Sequence, residues 1–251
     1  MPLIRRVPFA RGWRWIAEAF ALFRRNAILW IVLSMIMLLL GVALTLLPVL
    51  GGYLLYLVTP ILLAGLMVAA RDTEAGQEIE IAHLFRGFRE NAAPLVTVGG
   101  VYLVGSVLVR GVALSLGGEE LRQVIEATEA GHPEQIGPEA ADKASTAILA
   151  AGALFVPLAM AMWFAPALVM LDGVPPWRAM AMSMRACAVN VLPFLLYGAV
   201  MSALLLLALA LVFIGFAFWV PLAILTAYTA YRDVFASRTG LADESGPASP
   251  V

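Results

Sequence analysis

Charge is what this chain is short of. Only 13% of its 251 residues are Asp, Glu, Lys or Arg, while 62% are hydrophobic. An ordinary soluble domain carries about 25% charged and about 45–50% apolar residues. Histidine is confined to His83 and His132, and cysteine to Cys187. A single cysteine excludes an intrachain disulfide and says nothing of redox compartment. No Walker loop, dinucleotide fingerprint, nucleophile elbow or zinc-protease helix is present. The net charge of −1 leaves no basic field for nucleic acid. The start of the chain lacks a short apolar core with a small-residue cleavage site, so it reads as retained. Arg5-Arg6 faintly suggests a twin-arginine export signal, but it precedes an amphipathic helix and a full-length span, so we take it as a positive flank.

What is there is a series of long apolar runs separated by charged blocks. Spanning about 30 Å of hydrocarbon takes about 20 helical residues. Uncharged runs cover Ala27–Leu47, Tyr53–Ala70 and Ala147–Leu171, and Pro94–Leu116 holds only Arg110. The 41 uncharged residues from Val191 to Tyr231 suffice for two spans, with a turn expected at Ile214-Gly215-Phe216. A tight turn is expected at residues 48–52. The fold class is therefore all-α integral membrane, with about six transmembrane helices in a single polytopic domain over 1–236. Residues 237–251, rich in Gly, Ser, Pro and acid, are expected to be a disordered tail.

Basic residues set the orientation. One side receives Arg5, Arg6, Arg11, Arg14, Arg24, Arg25, Arg71, Arg86, Arg89, Arg178, Arg185, Arg232 and Arg238. The other receives Arg122 and Lys143. The positive-inside rule then places both termini in the cytoplasm and the acidic loop 117–144 outside. Within that loop, Glu119 to Ala130 suits a surface helix with Leu121, Val124, Ile125 and Thr128 inward.

The chain repeats itself as three hairpin units, about 11–72, 77–172 and 175–233. Each is preceded by an amphipathic stretch suited to the interface. In the first, Trp13, Ile16, Phe20 and Phe23 share a stripe. In the second the stripe is Ile81, Leu84, Phe85 and Phe88, with His83, Arg86 and Glu90 opposite. In the third it is Trp177, Met180, Ala181 and Met184. Asn26, Asn91 and Asn190 recur at the three junctions, and Pro60 and Pro221 each lie eleven residues before an Arg-Asp pair.

The Gly12-Trp13 start, the Phe-Arg-x-Asn junctions, Gly87-Phe88-Arg89 and the closing Ala230-Tyr231-Arg232-Asp233-Val234-Phe235 resemble an uncharacterised group of proteobacterial inner-membrane proteins, the BPSS-type family, over nearly the whole chain. The resemblance implies a helical inner-membrane protein and carries no activity, cofactor or site residue with it. In looser layout the chain also resembles the membrane domain fused to some glycerophosphodiester phosphodiesterases. That enzyme's barrel and metal ligands are absent here, so its activity is not carried over.

Candidate functional residues fall into three sets. Arg14, Arg25, Arg86, Arg89, Arg178 and Arg185 edge the amphipathic stretches and suit lipid headgroups or an interface. Arg110, with Asn26, Asn91 and Asn190, could form an intramembrane polar site. Alternatively, Arg110 snorkels to Glu119, Glu120 or Asp142 and the asparagines satisfy free backbone groups. Met180, Met184 and Cys187 share a stripe near Met160 and Met162, which could suit Cu(I) or simply fill irregular packing. No catalytic or metal residue is assigned and no cofactor is implied. The leading expectation is a non-enzymatic membrane protein with lipids as partners and an unidentified protein or a second copy as further candidates. A small transporter or channel for an apolar or lipid substrate stays open, as does an intramembrane enzyme working through His83, Cys187 or Asp172.

Overall fold

A computed structural model describes residues 2–48, 50–132 and 136–236; the expected tail lies outside them. Ten α-helices follow one another among the described residues: α1 (Arg11–Arg25), α2 (Ala27–Thr45), α3 (Gly51–Glu74), α4 (Arg86–Glu90), α5 (Ala92–Glu129), α6 (Pro138–Trp163), α7 (Ala165–Asp172), α8 (Pro176–Val189), α9 (Val191–Ala210) and α10 (Val212–Val234). A 3₁₀ turn, Ile81–Phe85, leads into α4. Six stretches are long and apolar enough to cross a membrane: α2, α3, α5, α6 with α7, α9 and α10. The protein is an all-α membrane protein. Its one pair of strands, β1 (Leu3–Ile4) and β2 (Phe235–Ala236), joins the two ends of the described chain antiparallel.

Over half of the most apolar window is buried in α3 and in α10 (56% each), against 17–22% in α2, α5 and α9. Span four falls between at 33%, with α7 buried and α6 largely exposed. The second helix of each hairpin is thus more buried than the first. Burial in the inner helices concentrates toward the arginine-rich end: residues 60–70 of α3, nearly all of α7, and α10 from Val220 onward. At the opposite end the hairpins present Leu108, Leu149, Leu206 and Ile214, all exposed, as lipid-facing side chains do.

Two tight approaches shape the first and third hairpin turns alike. A Cβ on Gly51 would lie 1.9 Å from the Leu44 carbonyl oxygen, and one on Gly215 would lie 2.2 Å from that of Ala208. The glycine sits seven residues after the carbonyl in both. The third turn falls at Leu211, before the expected Ile214-Gly215-Phe216, because Gly215 is used inside α10 to let that helix pack back on α9.

The 117–144 segment is more helical than a loop. Helix α5 runs to Glu129 but breaks at Gly118 (φ 53°, ψ −139°), a conformation that needs glycine. Beyond the break, Leu121 is buried with Ala144 and Ala147 of α6, and Val124 and Ile125 pack against them. Thr128, expected inward, is exposed.

The amphipathic segments dock with an offset. Each packs chiefly on the hairpin before its own: the 3₁₀ turn and α4 on α3, α8 on α6 and α7, and α1 on α9 and α10. The first segment docks on the last hairpin, and the three units close into a ring. Three glycines allow this contact. A Cβ on Gly65 of α3 would lie 2.3 Å from the His83 carbonyl oxygen. A Cβ on Gly12 would lie 2.2 Å from the Pro193 carbonyl oxygen, and one on Gly87 would lie 2.3 Å from that of Ile61. Gly12→Ala and Gly87→Ala should each cost about 1–3 kcal/mol through overpacking. Gly152→Ala, where a Cβ meets nothing within 4 Å, should leave stability unchanged or slightly raised. Thermal unfolding of the detergent-solubilised protein checks all three.

Candidate functional site

Polar side chains gather at the arginine-rich end, where the inner helices stop and the amphipathic segments dock. Asp72, near the end of α3, accepts Nε2 of His83 (3.1 Å), Nη1 of Arg86 (3.3 Å) and Nε of Arg71 (3.2 Å). His83 Nδ1 lies against the Glu80 backbone, 3.0 Å from its nitrogen and 3.1 Å from its carbonyl oxygen, which holds the ring with Nε2 facing Asp72. Asp233, near the end of α10, accepts Nε of Arg11 (2.5 Å) and Nε1 of Trp15 (2.8 Å). The two acids fasten the following amphipathic segment in ring order. Glu18 and Glu74 both pair with Arg232, and the Tyr228 hydroxyl donates to Glu74 at 2.7 Å.

The second unit uses a different fastening. Its Asp172 accepts the Tyr231 hydroxyl of α10 at 2.5 Å. Helix α8 is instead tied by Ser183, whose hydroxyl donates to the Met160 carbonyl (2.6 Å) and accepts the Phe164 N–H (2.8 Å). In an unbroken helix those two backbone groups would bond each other. Span four is interrupted at Phe164, two residues before the helix-breaking Pro166, and Ser183 bridges the gap. The fully buried hydroxyl carries no sequence signature beyond a small polar residue amid apolar ones.

The candidate residues divide accordingly. Arg25 is engaged by the carbonyls of Thr73 (3.2 Å) and Glu74 (2.9 Å), and Arg86 by Asp72 and Glu90. Arg14, Arg89, Arg178 and Arg185 are exposed. Asn26, Asn91 and Asn190 do occupy one backbone position, the hinge between amphipathic segment and span, with similar φ and ψ. They do not gather into one polar site. Asn26 is exposed, Asn91 donates to the Met170 sulfur (3.5 Å), and buried Asn190 bonds the Arg5 and Ala186 carbonyls and the Val7 N–H. Arg110 is exposed on α5, and among the described residues it meets none of Glu119, Glu120 or Asp142. Glu120 is taken by Lys143 at 2.5 Å.

The amphipathic segments have three sectors where two were expected. On α8 the protein-facing stripe is Ala179, Met180, Ser183, Ala186 and Cys187. Trp177 (71% exposed) and Met184, expected on that stripe, form a separate outward ridge about 100° round the helix. On α1 the docked stripe is Gly12, Trp15, Ile16, Ala19, Leu22 and Phe23, and Trp13 and Phe20 form the outward ridge. On α4 Gly87 docks and Phe88 is exposed. The second segment is a 3₁₀ turn and a five-residue helix, where one continuous helix was expected, because His83 and Arg86 must both reach back to Asp72. An aromatic ridge beside arginines at one level suits the boundary between headgroups and acyl chains.

The sulfur stripe is also divided: Met180 and Cys187 are buried against the protein, and Met184 points away. Burial pushes the Cys187 thiol up to about 12.

A protein of Burkholderia thailandensis described as a "probable inner membrane protein" is 34% identical to this chain over 201 residues. The match covers 78% of this chain and 73% of that protein. No family model and no solved structure matches.

Two measurements follow from this geometry. Ser183→Ala should cost about 1–3 kcal/mol by leaving two buried backbone groups unpaired, read as a lower unfolding temperature in detergent. The folded protein should react with a thiol-alkylating reagent at about pH 8 at least tenfold more slowly than the denatured chain, since the thiolate is the nucleophile.

Proposed function

The chain belongs to the same family of inner-membrane proteins as the Burkholderia relative, and from that premise we propose that its amphipathic segments hold anionic lipid headgroups at the cytoplasmic face, in a protein with no enzymatic chemistry of its own. One observation carries this reading. In each unit an outward apolar ridge lies beside arginines that the protein leaves exposed: Trp13 and Phe20 with Arg14, Phe88 with Arg89, Trp177 and Met184 with Arg178 and Arg185. Arginine near an anionic membrane surface contributes about 1 kcal/mol each. Arg25 and Arg86 serve a different purpose, holding the segments flat so that the ridges align. Both termini are cytoplasmic in this reading, as the crowding of basic residues at that end supports.

A second reading, handling of an apolar or lipid substrate, is favoured by two grooves, each between the helices of one hairpin and beside the amphipathic helix docked on it. They are lined by apolar side chains: Leu207, Phe218 and Trp219 of α9 and α10 with Phe20 and Phe23 of α1, and Val101, Leu108, Leu154 and Leu158 of α5 and α6 with Met184 of α8. A hydrophilic solute would find no hydrogen-bond partner there.

Phosphatidylglycerol should raise the unfolding temperature of the detergent-solubilised protein more than phosphatidylcholine with the same acyl chains. The combined variant Arg14→Gln, Arg89→Gln, Arg178→Gln, Arg185→Gln should lose most of that difference. Equal effects of the two lipids on the parent protein would refute the headgroup reading. A reporter fused near residue 130 should be active only outside the cytoplasm, and a cytoplasmic signal would reverse the orientation.

A further inference from the structure

The hinge between α8 and α9, in the third unit, differs from the other two. There, and not at Asn26 or Asn91, a separate segment of chain is clamped across the hinge. Asn190, 1% exposed, accepts the Val7 N–H at 2.9 Å and donates to the Arg5 carbonyl at 2.9 Å. The Arg5 N–H in turn donates to the Val234 carbonyl at 2.8 Å, beside the β1–β2 pair. Residues 5–7 are thereby fixed at both edges, and Arg6 between them is exposed and forms no ion pair among the described residues.

Two cavities meet at this hinge. One, of about 310 Å³, lies at the arginine-rich end between the clamped segment and the start of α9; its wall includes Arg6, Phe9, Val189 and Leu192, and Arg6 is its one charged residue. The other, also about 310 Å³, runs between α6, α8 and α9 and is bounded by Phe155, Ala159, Trp163, Phe194 and Leu195. Val191 borders both. The strip joining them is open, with Val191, Leu192 and Leu195 all substantially exposed.

A guanidinium over a small cavity, continuous at one residue with an apolar groove in the membrane zone, matches one kind of occupant in both charge and polarity. We infer that this junction is a binding site for a single phospholipid with a net negative headgroup, its phosphate on Arg6 and an acyl chain along Val191 into the groove beneath Trp163. The inference rests on the proposed recognition of anionic lipid and gives it a defined position. A guanidinium–phosphate contact is charge-assisted, and the fixed segment presents it with little ordering left to be lost on binding. The surface arginines, by contrast, meet lipids that exchange freely.

Native mass spectrometry of the full-length protein, after reconstitution with phosphatidylglycerol or phosphatidylcholine of identical chains and return to detergent, tests this. One phosphatidylglycerol per protein should be retained, and phosphatidylcholine several-fold less. Arg6→Ala, an exposed change, should lower retained phosphatidylglycerol about fivefold with unchanged unfolding temperature in lipid-free detergent. Ala159→Leu, which narrows the groove, should lower retention of both lipids. The four-arginine variant should keep its one bound lipid. Equal retention of the two lipids, or full retention by Arg6→Ala, overturns the site. If phosphatidylglycerol still stabilises the protein selectively, the headgroup reading survives that result; if selectivity is lost altogether, both fall.

Discussion

Helices in hydrocarbon gain little from hiding apolar surface against one another, since lipid tails are as apolar as leucine. What holds three hairpins in one arrangement must then be polar or steric; here the polar ties lie at the arginine-rich end, and tight glycine contacts lie both there and inside the spans, where Gly99 of α5 meets the Tyr56 carbonyl of α3. Asp72 and Asp233 each grip the amphipathic segment that follows in ring order, and Gly12 and Gly87 let those segments come within backbone contact of the hairpins beneath. The offset matters more than any single bond. A segment that docked only on its own hairpin would leave the units joined by their spans alone, through α3 with α5 and α7 and α10 with α2 and α3. Docked on the preceding one, each adds a second tie between two units at the arginine-rich end.

The second unit shows how the same end is reached by other chemistry. Its inner span is broken at Phe164, and the break leaves an amide and a carbonyl in a low-dielectric surrounding where neither finds water. Ser183 satisfies both and fixes α8 in doing so. Asp172 is then available to hold Tyr231 of α10, so this unit contributes a link between inner helices where its counterparts link helix to segment.

Much of this was legible in the sequence. The spans, the three units, the asparagine hinges and the amphipathic character all follow from hydropathy and spacing, because hydrocarbon imposes them locally. The offset docking was not legible: nothing in the stripe Trp15, Ile16, Ala19 and Phe23 says whether it meets α2 or α10. Nor could a two-sector wheel separate Trp177, which faces outward, from Met180, which faces the protein, since both surroundings are apolar. His83 and Arg86 read as the polar face of an interfacial helix, and only the fold brings Asp72 to them. The partner of Lys143 was equally hidden, depending on the bend at Gly118.

The closing of the ring by α1 has a bearing on how the protein is made. Its seat is formed by α9 and α10, which begin about 180 residues later in the chain. At about 5–20 residues per second of synthesis, α1 emerges some ten to forty seconds before that seat exists. For that interval Trp15, Ile16, Leu22 and Phe23 have no seat within the protein. Helix α1, though translated well ahead of α9 and α10, can reach its final position only after both are made.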